Sequence, residues 1–352
     1  MPLRLNTLTV SPGVDLAYTD SGAPNVFPYS TIFAVHGICF TNLIFQKLQS
    51  VAFDNGFRFV AVNRRSYAGS TPFSPEETKV IVDDAPLLEE RANFIQARGH
   101  ELALFIALFA QKFELPPLSD DGKTGGSTVY GWSMGSQLAV LMLASVPTLP
   151  PTVRSSLASH LRSLVIYDAA PYFFGFPNAE KNWAPLVDIT MPESLRLPMF
   201  GQWVSSYFDN GDYSKHNYDT LAYVLPSTDK IPTIFKDDMS NTASYGQDAA
   251  LDLPLVFKFV QPLQEAFYKA LRGSETAALF PRLKMTFVCG DRSPSFGLSG
   301  LWTVQDNVTK GGLRGRIHYK IVKGANHFLH WEDPYKALEL ITADVVNLSA
   351  RL

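Results

Sequence analysis

Short apolar runs separated by helix-like stretches dominate the first half of the chain. Leu3 to Val10 alternates apolar and polar residues, Pro12-Gly13 breaks the run, and Val14 to Tyr18 resumes it, which predicts an N-terminal hairpin. Ser30 to Val35 and Phe57 to Val62 are continuous apolar runs of strand length, with a helix-like stretch from about Asn42 to Phe53 between them. From about Pro86 to Phe113, Ala92, Ile95, Leu102, Phe105, Ile106 and Phe109 recur at helical spacing. The polar loop from Ser119 to Ser127 then leads into Thr128-Val129-Tyr130, a Gly-rich turn, and a helix over about Ser136 to Ser145 that Pro147, Pro150 and Pro151 end. Leu161 to Tyr167 is the next strand and stops at Asp168.

The pattern then changes. From about Pro171 to Phe280 the chain carries aromatics, prolines and short helical fragments with no clear strand. Strand signals return at Lys284 to Cys289 and Ile317 to Val322, and a final amphipathic helix is expected over about Pro334 to Leu348. Alternating strands and helices imply right-handed crossovers and a mostly parallel sheet flanked by helices. The strandless segment therefore reads as an insertion. Ligands of such sheets bind at the carboxyl ends of the strands, so an insertion leaving one strand end would cover that edge as a lid. The expected division is a core of residues 1–170 and 281–352 and a helical cap of residues 171–280.

Composition narrows the class. In 352 residues, 46% are hydrophobic and only 18% charged, enough for a large core. The net charge of -3 gives no basic footprint for nucleic acid. Two cysteines, Cys39 and Cys289, are too few for a disulfide framework and are expected to be buried thiols. No apolar run approaches the roughly 18 residues of a membrane span. The first residues lack the charged start and apolar core of a signal peptide, so the chain is expected to be cytoplasmic. Asn307-Val308-Thr309 and Asn347-Leu348-Ser349 are then chance matches to the glycosylation pattern.

The candidate chemistry is Gly131-Trp132-Ser133-Met134-Gly135, between a strand and a helix. A serine hydroxyl needs exposure, a base and a site for the developing oxyanion before it can act as a nucleophile. A sharp strand-to-helix turn exposes the central serine, the flanking glycines let strand and helix approach, and the helix N-terminus adds positive partial charge. The N–H of Met134, directly after Ser133, is one expected oxyanion donor.

On these residues the chain resembles the α/β-hydrolase superfamily, in its capped form with an insertion after the sixth strand. The resemblance spans nearly the whole chain, although the insertion matches only in position and helical character. It implies that His327, in Gly324-Ala325-Asn326-His327-Phe328-Leu329-His330-Trp331-Glu332-Asp333-Pro334, is the general base, with His330 a competitor that packs or caps locally. It implies Asp291, after Cys289-Gly290, as the acid that orients His327, with Asp168 at the end of the sixth strand as the alternative. It also implies Ile38, in the loop after His36-Gly37, as the second oxyanion donor. Cys39, beside that loop, has no elbow around it and is set aside as a nucleophile. The turn Asn63-Arg64-Arg65-Ser66-Tyr67-Ala68-Gly69-Ser70 departs from the family's commoner Asp-x-Arg-Gly form and is expected to support the floor of the site.

A serine at the nucleophile position disfavours the dehalogenase and epoxide-hydrolase chemistries, which use a carboxylate there. The expected function is hydrolysis of carboxylic esters or related acyl substrates through an acyl-enzyme, with no cofactor and no metal. An acyltransferase using the same triad and a receptor-like binding protein on this fold are the alternatives. The expected ligand is a small molecule with an apolar or aromatic acyl group, held in a pocket to which Trp132 contributes and for which the aromatics of the insertion, among them Tyr172, Trp183 and Trp203, are candidates.

Overall fold

A computed structural model of the chain describes residues 3–237, 241–309 and 317–344. Among these residues eight strands form one sheet in the order β1-β2-β4-β3-β5-β6-β7-β8. The strands are β1 (Asn6–Ser11), β2 (Val14–Asp20), β3 (Ser30–Val35), β4 (Phe57–Val62), β5 (Ser127–Trp132), β6 (Leu161–Tyr167), β7 (Lys284–Gly290) and β8 (Ile317–Val322). β1 pairs antiparallel with β2, and β2 with β4; every later pairing is parallel.

Every residue of β3, β4, β5 and β6 is buried, which is why their sequences run apolar without alternation: helices cover both faces of a parallel sheet. The long helix Leu88–Lys112 lays Ile95, Leu102, Phe105, Ile106 and Phe109 into the core, and it packs on the helix Gly135–Ser145 that follows β5. That second helix is buried almost throughout, as its unbroken apolar run Leu138 to Ala144 requires.

Register sets the height of the functional edge. Val35 pairs with Gly131, Trp132 with Tyr167, and Tyr167 with Val288. The residues that follow, His36, Ser133 and Asp168, therefore leave the sheet at its carboxyl edge almost level with one another, in a row with Cys289.

Between β6 and β7 no strand occurs among the described residues; the elements are short 3₁₀ turns and the helices Glu193–Val204, Gln247–Ala250, Asp252–Phe257, Val260–Arg272 and Ser274–Leu279. The helix Val260–Arg272 packs on both Gly135–Ser145 and Leu88–Lys112, so this part of the segment belongs to the layer flanking the sheet. The helices Pro75–Val82, Pro151–His160 and Ser295–Thr309 carried no signal strong enough to be expected from sequence. The last helix is described over Pro334–Ile341; the rest of its expected span, and Asn347-Leu348-Ser349, lie outside the described residues. Among the described residues no helix is long and apolar enough to cross a membrane.

Candidate active site

Ser133 has φ 53, in the left-handed region that costs a side-chain-bearing residue energy unless its surroundings enforce it. The surroundings do so here. Its N–H donates to the Tyr167 carbonyl at 2.9 Å, its carbonyl accepts from the Ser136 N–H at 2.9 Å, and the Ser136 hydroxyl donates to the Gly131 carbonyl at 2.8 Å. A Cβ on Gly135 would lie 2.0 Å from the Val35 carbonyl oxygen, so only glycine lets this helix start so close to β3. The loop after β3 comes equally close to the serine: a Cβ on Gly37 would lie 2.8 Å from the Ser133 Cβ and 3.2 Å from its Oγ.

His327 is 1% exposed and its Nδ1 lies 3.2 Å from Oδ2 of Asp168, which is fully buried. A carboxylate partner can only accept, so this contact calls for a proton on Nδ1. Asp168 is itself fixed: its N–H donates to the Val288 carbonyl, Oδ1 accepts from the Gly290 N–H at 3.1 Å, and Oδ2 also accepts the Ser293 hydroxyl. The His327 carbonyl accepts from the Trp132 indole at 2.9 Å, and the neighbouring Asn326 carbonyl accepts from the Tyr167 hydroxyl at 2.7 Å. The loop carrying the histidine is thereby pinned to the ends of β5 and β6.

The acid expected from sequence was Asp291, and here the geometry corrects the expectation: the carboxylate against His327 is that of Asp168. β7 extends past the row in which Ser133 and Asp168 stand, so Asp291 falls two residues beyond it. Its Oδ1 accepts instead from the Gly324 N–H at 2.7 Å, and Oδ2 faces the Tyr213 hydroxyl at 3.5 Å. Asp291 thus braces the turn that leads into the histidine loop.

Trp132 requires a second correction. It is fully buried and lies among Phe40, Phe45, Phe328 and His330, with its indole N–H spent on His327. It is a core residue behind the site and is not among the residues that line the apolar cavity beside Ile38 and Phe296. His330 is fully buried against Trp132 and Phe45, and neither ring nitrogen has a hydrogen-bond partner among the described residues. Burial first, and His327 second, hold its pKa well below the usual histidine value.

The loop after β3 is set by its polar neighbours. His36 is fully buried; its Nδ1 lies 2.9 Å from the Gly37 carbonyl, and its Nε2 accepts the Arg64 N–H at 3.1 Å. Both contacts suit the neutral ring with its proton on Nδ1. Burial, followed by the nearby Arg64 charge, keeps its pKa well below the ordinary value. The Arg64 guanidinium also donates to the Gly37 carbonyl, at 3.1 Å. In a trans peptide the C=O and the following N–H point in opposite directions. Holding the Gly37 carbonyl toward His36 and Arg64 therefore aims the Ile38 N–H the other way. Met134, the other expected donor, begins the helix beneath Ser133.

A cavity of about 240 Å³ lies next to these groups. Ile38 forms one wall and Phe296 another, and the Phe296 ring stands edge-on to His327 with centroids 5.2 Å apart. Tyr172, Trp183, Leu186 and Val256 continue the lining, which is mostly apolar. Of the aromatics of the insertion, Tyr172, Trp183 and Phe257 reach this cavity. Phe174 and Phe176 pack on Phe267, and Trp203 packs on Phe208. The two arginines of the β4 turn have separate tasks. Arg65 bonds the Thr71 and Pro72 carbonyls, Glu77 and Glu101, whereas Arg64 crosses to Asp252.

Among solved structures, an N-acyl homoserine lactonase AidH, complexed with N-butanoyl homoserine, superposes with a TM-score of 0.53 at 12% identity, covering 98% of each chain. A putative aryl esterase from Burkholderia cenocepacia gives a TM-score of 0.50 at 14% identity, covering 97% of each chain. At these identities the likeness is one of fold. No curated protein matches the sequence. The sequence model of the alpha/beta hydrolase family matches residues 32–339. With that match over most of its length, and a mostly parallel eight-stranded sheet beneath a strand-to-helix serine, the chain belongs to the alpha/beta hydrolase family.

Proposed function

We propose that the protein is a serine hydrolase that cleaves carboxylic esters of apolar acyl groups through an acyl-enzyme. The observation that carries this reading is the hydrogen bond between His327 and Asp168 at the edge where Ser133 is held at positive φ. The Ser133 hydroxyl attacks the ester carbonyl while His327 Nε2 takes its proton. The Asp168 carboxylate keeps the imidazole in the tautomer that can do so and stabilises the imidazolium that results. The N–H groups of Ile38 and Met134 receive the charge on the tetrahedral oxygen. The imidazolium then returns the proton to the departing alkoxide, and a water activated by the same histidine releases the acid.

The acyl group occupies the cavity between Ile38, Trp183, Leu186 and Phe296, whose apolar lining favours hydrocarbon over charge. The part of the β6–β7 segment that supplies these walls, up to the helix Asp252–Phe257, acts as the cap. Ser133→Ala is expected to abolish turnover of a chromogenic ester while leaving the thermal unfolding midpoint close to that of the parent; retained turnover would remove the assignment.

A further inference from the structure

The loop that carries Ile38 is not held by the core alone. Two residues of the β6–β7 segment bond to it through the main chain: the Thr41 N–H donates to the Thr242 carbonyl and the Ser244 N–H to the Cys39 carbonyl, each at 2.8 Å, around an antiparallel bridge between Phe40 and Ala243. Behind the loop a second contact is made through buried charge. Asp252, 2% exposed at the start of the helix Asp252–Phe257, receives both Nη atoms of Arg64, at 2.7 and 2.6 Å. The Tyr67 hydroxyl donates to the same carboxylate at 2.6 Å, and accepts from Arg64 Nη2 at 3.1 Å and from the Cys39 N–H at 3.2 Å. Arg64 Nη2 also reaches the Gly37 carbonyl. Two bonds of this cluster thus fall on the peptides flanking Ile38. Asp252 takes both terminal nitrogens of the guanidinium, while Arg64 Nε is buried with no partner among the described residues, so the arginine's charge is committed to Asp252.

We infer that Arg64, Tyr67 and Asp252 are positioning residues that couple the cap helix Asp252–Phe257 to the aim of the Ile38 N–H. The inference rests on the serine-hydrolase reading for its kinetic consequence. Arg64 holds the Gly37 carbonyl, and the planar peptide converts that hold into the direction of the Ile38 N–H. Tyr67 holds the next amide, that of Cys39, whose φ of 56 needs enforcement. Asp252 fixes both side chains. Val256, on the same short helix, lines the acyl cavity, so the group that fixes the donor and a wall that meets the acyl chain move as one element.

The experiment compares Arg64→Met, Asp252→Leu and the double variant. Each single variant strands a buried charge and unfolds more easily; removing both partners relieves that penalty, so the double variant recovers a thermal midpoint near the parent's. In the double variant kcat for a chromogenic ester is expected to stay about ten- to a hundredfold down with KM little changed, the signature of a misdirected donor. Amide hydrogen exchange over residues 36–44 is expected to be about tenfold faster or more, while the strand peptides of β5 and β6 keep their protection. A double variant with recovered stability and parental kcat would overturn the inference, and so would unchanged exchange over residues 36–44. The exchange result decides the coupling even where Ser133→Ala kept its turnover, so failure of the coupling and failure of the serine reading remain separate outcomes.

Discussion

His327 and Asp168 are 159 residues apart in sequence, and their Nδ1 and Oδ2 atoms are 3.2 Å apart in space, both fully sheltered from solvent. The contact joins the end of β6 to the loop after β8, passing over the intervening β7. A carboxylate so placed, already accepting Gly290 N–H and the Ser293 hydroxyl, has its lone pairs directed before any substrate arrives.

The two candidate acids separate in a single comparison. Asp168→Asn should lower kcat by about 10⁴, because an amide can offer a donor to His327 and favour the wrong tautomer. Asp291→Asn, acting only on the Gly324 turn, should cost far less in kcat and show mainly as a lower unfolding midpoint. Steady-state kinetics and thermal unfolding of the two purified variants supply the measurement.

Stability should fall on the acid side of neutrality. His36 and His330 are buried neutral, with folded-state pKa values well below their unfolded value near 6.5. The unfolded chain then binds protons that the folded chain does not. The stabilisation is fully present above about pH 6.5 and declines as pH drops toward the depressed values, by up to about 1.4 kcal/mol per pH unit for each histidine. His330→Phe, which keeps an aromatic ring against Trp132 and Phe45, should flatten that slope. Unfolding midpoints from pH 5 to pH 8 test this, and an unchanged slope in the variant would contradict it.

Leu186→Trp should fill part of the acyl cavity without touching the hydrogen bonds around Ser133 or His327. Turnover of acetyl esters should persist while long-chain acyl esters lose kcat/KM by about tenfold or more, the scale on which a pocket discriminates by a methylene or two. A chain-length series of chromogenic esters reads the effect directly.

Much of the sheet was legible because its strands are short apolar runs ended by His, Asn or Asp: Ser30–Val35, Phe57–Val62 and Leu161–Tyr167 stand where the pattern places them. The serine was legible for a local reason, since five consecutive residues carry the turn. The acid was not. Asp168 and Asp291 both follow buried strands, and what separates them is how far β7 runs past its neighbour, a property of register that neither local sequence contains. Trp132 misled because adjacency to a nucleophile says nothing about direction; along a strand, alternate residues face opposite sides. Helix Ser295–Thr309 escaped notice because its glycines, Gly297 and Gly300, weaken the propensity signal. They are there for contact: a Cβ on Gly300 would lie 1.9 Å from the Ala169 carbonyl oxygen.

The indole bond from Trp132 to the His327 carbonyl ties the residue before Ser133 directly to the histidine. Ser133, Asp168 and His327 are thus registered to one another chiefly by the sheet and its edge loops, with one further bond from the Asn326 amide to the Ser205 carbonyl of the β6–β7 segment. The loop after β3 leans more heavily on that segment, through the main chain of Thr242 and Ser244 and, by way of Arg64, through Asp252. Exchanging the segment that carries Asp252 would strand the buried charge of Arg64, so a replacement would have to bring its own aspartate to face Arg64 or be made together with loss of the arginine.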